Sequence, residues 1–198
     1  MDKLTLDDIV DLRAYERERA AFRSRVIARK KLRRIPVGPV VTVLFENRDT
    51  IRFQLQEMAR AERMLTDEAI QVELDTYNPL VPEPGRLAAT LFIELTDETE
   101  MLRWLPELVG IERSVKLRIG DGDGAVVVRG APEEAHAEHL TREEVTASVH
   151  YVFFELTPEQ VDALDAGPVV LAVDHDRYLE ATPLASETVA SLVADLRS

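Results

Sequence analysis

The chain has 198 residues, of which 45% are hydrophobic and 31% charged, a balance typical of one folded domain over residues 1–198. The formal net charge of −13 argues against a nucleic-acid-binding surface, and the absence of cysteine excludes disulfides, thiol catalysis and cysteine-ligated metal centres. No apolar run is long enough to span a membrane and residues 1–12 have no apolar signal core, so we expect a cytoplasmic protein that does not bind membranes.

The first predicted element is a long basic helix over residues 5–34. Thr5 and Asp8 have the spacing of a helix N-cap with an acidic residue in the first turn, and no Gly or Pro interrupts the segment. Residues 13–34 contain ten Arg or Lys against two Glu, whereas residues 35–198 carry a net charge of −18. We therefore expect the basic segment to pack against the acidic body of its own chain.

One cation falls inside the apolar stripe of this helix. Apolar side chains recur at helical spacing, and Arg19 lies in the middle of them, so we expect Arg19 to be largely buried. Because a buried guanidinium needs carboxylate partners, acidic residues of the next strand and helix should lie close to it. The candidate partners are Glu46, Glu57 and Glu62.

The elements that follow predict an α+β fold. Residues 40–46 form a buried strand pattern, and a helix is predicted over residues 50–65 with Asp49 or Thr50 as its N-cap. Further strands and short helices follow to the end of the chain. We expect a mainly antiparallel sheet with helices on one side and the long N-terminal helix packed across it.

Charged and amide side chains of the two long helices define a candidate site for a small anion or metabolite between helix 5–34 and helix 50–65. Tyr77 and Asn78 come from a proline-rich segment, and His175 follows a strand end, where sites accumulate. The candidate ligand-binding residues are Arg19, Arg23, Lys30, Glu46, Gln54, Glu57, Glu62, Tyr77, Asn78 and His175.

No catalytic or cofactor motif is present. The glycine-rich run 120–124 precedes a strand pattern rather than a helix, which argues against dinucleotide binding. His136 and His139 are three residues apart, but their polar, acidic surroundings favour a solvated surface over a metal site. The glutamates near the basic helix lack the Glu-x-x-His motifs of di-metal bundle proteins. We therefore expect no bound metal and no cofactor. The sequence identifies no catalytic residue, and it leans against an enzyme without deciding the question.

Segments spread over nearly the whole chain resemble a bacterial family of about this length that has no established function. They are residues 15–23, 30–34, 45–63, 77–82, 87–95 and 173–182. Members of that family are often encoded near rubrerythrin and near a cysteine-rich iron–sulfur oxidoreductase. The resemblance therefore implies a link to peroxide or redox metabolism, in which any redox centre belongs to a partner.

Three classes of function stay open. Nucleic-acid binding through residues 13–34 is the least favoured, because apolar side chains between its cations must pack and narrow its free basic face. The first is an accessory or interaction protein, expected to form a homodimer and to work with a redox enzyme. The second is a protein or enzyme that binds a small anion or metabolite. An enclosed pocket lined by arginine and glutamate would favour the second class, whereas a filled network of ion pairs would favour the first.

Overall fold

The computed structural model of the protein describes residues 2–133 and 144–198. These residues confirm the α+β class and the long N-terminal helix. None of the described helices is both long and apolar enough to cross a bilayer. The described helices are α1 (Leu12–Arg33), α2 (Arg48–Ala61), α3 (Asp67–Tyr77), α4 (Glu98–Glu107), α5 (Pro158–Ala166) and α6 (Ser186–Leu196).

The described strands divide between two antiparallel sheets. The first sheet has the order β1-β2-β3-β7-β6, and the second has the order β5-β4-β8-β9. The first contains β1 (Arg34–Val37), β2 (Val41–Glu46), β3 (Arg86–Ile93), β6 (Ala131–Pro132) and β7 (Val149–Glu155). The second contains β4 (Val115–Ile119), β5 (Val126–Arg129), β8 (Val169–His175) and β9 (Tyr178–Pro183).

The two sheets pack against each other around the largest apolar core. Side chains alternate along a strand, so every second residue of each sheet enters this core. Leu91 and Phe154 come from the first sheet, Leu117 and Leu171 from the second, and all four are fully buried. Leu192 of α6 belongs to the same core.

The opposite face of the first sheet is covered by α2 and α3. Ile51 and Leu55 of α2 and Leu74 of α3 belong to one buried cluster with Ala88 and Phe153 of the sheet. Polar side chains that β2, β3 and β7 direct to this face therefore lie beneath the helices instead of in water. This layer positions the candidate site.

The start of α1 differs from the expected helix over residues 5–34. The Asp11 side chain accepts hydrogen bonds from the first two backbone N–H groups that follow Leu12, each at 2.9 Å, so the helix begins at Leu12. Thr5 and Asp8 do form a cap, but it belongs to a short 3₁₀ turn before the helix.

Helix α2 is also displaced from the expected range 50–65. The Asn47 side chain accepts from the Thr50 backbone N–H at 3.1 Å, and the Thr50 hydroxyl accepts from the Asn47 N–H at 2.8 Å. This reciprocal cap starts the helix at Arg48. The helix ends at Ala61, and Arg63 then adopts a left-handed backbone conformation with φ of 55°.

Tyr178 of β9 joins the second sheet to the first. Its hydroxyl donates to the Val37 carbonyl at 2.7 Å and accepts from the backbone N–H groups of Val40 and Val41 at 3.1 and 3.2 Å. One buried phenol thus satisfies three backbone groups at the turn between β1 and β2.

We predict that Tyr178→Phe weakens this junction, because it leaves buried backbone groups without their partner. The expected loss in the free energy of unfolding is about 1–3 kcal/mol, measured by urea titration. Leu179→Ala is the control, since Leu179 is 71% exposed and its truncation should cost less than about 0.5 kcal/mol. Equal effects of the two substitutions would contradict the assigned role of the hydroxyl.

Candidate functional site

Tyr15 and Arg19 of α1 share one carboxylate of α2. Arg19 donates two hydrogen bonds to Glu57, from Nε to Oε1 at 2.7 Å and from Nη2 to Oε2 at 2.8 Å. The Tyr15 hydroxyl donates a third to Oε1 at 2.6 Å. The hydrogen bond from Arg19 is the main cause that lowers the pKa of Glu57 to about 2. Of the three expected partners of Arg19, Glu57 is confirmed, whereas Glu46 and Glu62 make no ion pair with it. The expected burial of Arg19 is only partial, since 30% of its side chain is exposed.

Further ion pairs fill the contact between α1 and α2. A cavity of about 20 Å³ beside the start of α1 has room for one water molecule but not for a metabolite. The charges that α1 and α2 direct at each other are therefore paired within the protein, at the place where the sequence suggested a ligand. The additional pairs are Glu16–Arg60 at 2.5 Å, Glu18–Arg52 at 3.8 Å and Arg29–Asp49 at 2.5 Å.

The end of α1 is anchored by a buried ion pair. Arg33 is fully buried, and its Nη2 contacts a carboxylate oxygen of Asp195 in α6. Burial lowers the pKa of Arg33 and raises the pKa of Asp195, and the charge of each partner opposes the shift of the other. A guanidinium keeps its proton in proteins, so the pair is ionic and fastens α1 to α6.

Six of the nine cations of α1 make no ion pair with any described residue. Lys30 is half-buried, and Arg25 is exposed but lies over the Phe22 ring. The other four are exposed, as are Ile27 and Leu32 between them. The expectation that the basic segment packs on the body therefore holds for only part of it. We call the exposed set the outer surface of α1; it comprises Arg13, Arg17, Arg23, Ile27, Lys31 and Leu32.

Three other candidates, Glu46, Gln54 and Tyr77, lie close to two residues that the sequence analysis did not select, Thr90 and Tyr151. Thr90 of β3 and Tyr151 of β7 lie opposite each other on the helix-covered face of the first sheet. The Thr90 hydroxyl donates to Oε1 of Glu46 at 2.8 Å. Gln54 of α2 lies close enough to Tyr77 and Tyr151 to lower the pKa of both phenols against the larger effect of burial. We call these five residues the tyrosine–carboxylate cluster.

Burial and negative charge set the protonation of the two phenols. Burial raises the pKa of Tyr151 to about 12, and the neighbouring Tyr77 and Glu46 add to this shift. The pKa of Tyr77 is raised by burial and by the charges of Glu73 and Glu62. Both phenols therefore keep their protons near neutral pH, where each hydroxyl can donate and accept a hydrogen bond.

The remaining candidates serve other contacts. Asn78 accepts a hydrogen bond from the Leu4 backbone N–H at 2.8 Å and donates one to the Leu4 carbonyl at 2.9 Å, which fastens the N-terminal residues to the end of α3. Nε2 of His175 donates to the Val109 carbonyl at 3.1 Å. Glu62 is an exposed residue at the end of α2, and only its charge reaches the cluster.

No group of three histidine, cysteine or carboxylate side chains suited to a metal ion occurs in residues 2–133 and 144–198. His136 and His139, whose spacing raised the question of a metal, lie outside the described residues. The oxygen-rich tyrosine–carboxylate cluster contains a single carboxylate, which is fewer than a tightly held divalent cation normally uses.

The structure defines a class of α+β protein in which a charged helical layer covers one of two stacked antiparallel sheets. The chain belongs to the family described as "Protein of unknown function (DUF3501)", whose model matches residues 3–196. No curated protein matches the chain. The expected membership of a family without established function is thus confirmed, whereas the redox association stays a prediction.

One solved structure shows the same fold over nearly the whole length. It is the crystal structure of a protein of unknown function from Burkholderia pseudomallei K96243, with 38% sequence identity and a TM-score of 0.88. The match covers 98% of this chain and all of the other. The similarity establishes the architecture and leaves the activity to be inferred from the site.

We predict that Arg19→Ala lowers the melting temperature by several degrees, because it leaves the half-buried Glu57 carboxylate without its bidentate partner. Arg25→Ala is the matched control. The Arg25 guanidinium lies 5.6 Å from the centre of the Phe22 ring on the exposed side of α1, so its loss should cause a much smaller shift. Similar shifts would show that the Arg19–Glu57 pair does not hold α1 to α2.

Glu57→Gln should change how stability depends on pH. The pKa of Glu57 is about 2 in the folded protein against an ordinary value of 4.5. The ion pair therefore stabilises the fold fully above pH 4.5, and this contribution disappears as the pH falls through about 2. We expect the variant to be less stable by about 1–2 kcal/mol near neutral pH. In urea unfolding, a difference that does not shrink on acidification would contradict this assignment.

Proposed function

We propose that this protein is an accessory interaction protein that docks onto an acidic protein surface through the outer surface of α1. The observation that supports the proposal is the separation of the α1 cations into two sets. Cations that face α2 and α6 are paired with carboxylates, whereas those of the outer surface make no ion pair in the described parts of the chain. The filled contact between α1 and α2 removes the support for an anion site there.

The unpaired cations make a protein partner favourable. Arg13 and Arg17 are four residues apart on one helix, where like charges repel. An acidic surface placed against them would relieve this repulsion and steer the partner during association. Ile27 and Leu32 add exposed apolar area at the same surface, which a protein partner can bury and a solvated polyanion cannot.

A second copy of the chain offers a suitable acidic surface. Helix α3 has four acidic residues and no basic one, and the apolar side chains of Leu65 and Val72 are exposed beside them. We propose that the outer surface of α1 in one copy contacts α3 of another. A two-fold dimer would form this contact twice, since each copy supplies one α1 and one α3. A redox enzyme as an additional partner, which the family resemblance implies, stays a prediction.

The double substitution Arg17→Glu/Lys31→Glu tests the docking surface. We expect the wild type to have the mass of a dimer by light scattering at micromolar concentration in low salt, and the variant to have the mass of one chain. At about 1 M salt, where the Debye length is about 3 Å, the wild type should dissociate as well. The control is Arg118→Glu/Arg129→Glu, which reverses two exposed cations of the second sheet and should leave the dimer intact.

Charge reversal on α3 gives the complementary test. The variant Glu68→Lys/Asp75→Lys should be monomeric alone and should form a heterodimer when it is mixed with the α1 variant, because the reversed charges attract again. A wild type that keeps the mass of one chain under all conditions would contradict the proposal. So would α1 and α3 variants that fail to associate, or an outer surface that binds DNA or anionic vesicles instead of a second copy.

A further inference from the structure

We propose that the tyrosine–carboxylate cluster is a binding site for a compact organic ammonium ion. The cluster contains one carboxylate, two phenols, one amide and one alcohol, contributed by Glu46, Gln54, Tyr77, Thr90 and Tyr151. None of these residues belongs to the outer surface of α1, and only Tyr77 belongs to α3, the helix that we propose as the partner of that surface.

The buried carboxylate of Glu46 is the observation that points to a ligand. Glu46 is 3% exposed, and its Oε1 accepts the hydrogen bond from Thr90. Its Oε2 is buried and has no hydrogen-bond partner among the described residues. Burial of a charged oxygen without a partner is strongly unfavourable, so this position attracts a cation or a hydrogen-bond donor.

Arg33, a buried cation whose charge interacts with Glu46, does not fill this role. Arg33 and Glu46 are close enough for their charges to interact. However, the ion pair of Arg33 is made through Nη2 with Asp195. Its Nε and Nη1 are buried without a hydrogen-bond partner, and neither of them reaches Glu46 Oε2. Because Asp195 balances Arg33, the charge of Glu46 remains available to a ligand.

The other members of the cluster suit an ammonium group. Gln54, Tyr77 and Tyr151 are half-buried, so they form the solvent side of the cluster, while Glu46 and Thr90 form its inner end. Phenol rings attract cations through their π faces, and the phenol oxygens can accept ammonium N–H groups. The charges of Glu62 and Glu73 act on Tyr77 and make the solvent side negative as well.

The same groups discriminate against other ligands. Three carboxylates within reach of the cluster would repel an anion, and this opposes the small-anion reading of the sequence. A divalent metal would need more carboxylate ligands than the one buried group supplies. A primary ammonium has three N–H donors, which match the unpartnered carboxylate oxygen and neighbouring hydroxyl oxygens.

Titration calorimetry with butylammonium tests the site, with butanol and butyrate as neutral and anionic controls of similar size. We expect one equivalent of butylammonium to bind and neither control to do so. Glu46→Gln keeps the shape of the side chain but removes its charge, and it should weaken binding at least tenfold. The matched control is Glu112→Gln, because Glu112 is also 3% exposed with an unpartnered Oε2 but lies outside the cluster.

A second variant keeps the test decisive if Glu46→Gln does not fold. Tyr151→Phe removes one hydroxyl of the cluster and should weaken butylammonium binding several-fold, while melting curves confirm the fold. The α1 variant Arg17→Glu/Lys31→Glu should bind butylammonium like the wild type, whatever its mass. Absence of binding to the wild type, equal binding of butanol, or equal weakening by Glu112→Gln would overturn the proposal.

Discussion

Neutralisation of the cations that α1 turns towards the protein is the constraint on which the rest of the structure depends. Burying an unpaired guanidinium costs several kcal/mol. This basic helix can therefore pack only where carboxylates of the body can pair with its cations. Glu57 of α2 and Asp195 of α6 provide them at the middle and at the end of α1. These pairs hold α2 over the first sheet and tie α6 to the same helix.

The same constraint separates the two surfaces to which we assign functions. Glu57 pairs with α1 and is therefore not free to bind a ligand. The polar side chains of the helical layer that can do so lie beside α3. Gln54 lies there with the two phenols, above the carboxylate of Glu46. On the other side of α1, cations such as Arg17 find no carboxylate in the described chain and stay in solvent. Structural pairing thus uses the inward cations of α1, and docking uses its outer cations. Ligand binding uses the cluster, which shares only the end of α3 with the docking contact.

Periodicity and charge were enough to predict the α+β class, the long helix and the pairing of Arg19 with Glu57. The helix starts were missed because Asp11 and Asn47 compete with neighbouring residues as caps, and spacing alone does not decide between them. Tyr151 was missed because its place depends on cross-strand register with Thr90, which one strand pattern does not reveal. For the same reason the division into two sheets could not be predicted.

The central claim is that the outer surface of α1 is covered by another protein chain while its inward cations hold the fold. Lysine acylation followed by mass spectrometry tests it most directly, because the chain has four lysines and only Lys31 belongs to that surface. We predict that the acylation rate of Lys31 falls as protein concentration rises from nanomolar to micromolar, and that Lys116 of the second sheet reacts at a constant rate. An unchanged rate at Lys31 over this range, with the rest of the fold intact, would contradict the claim.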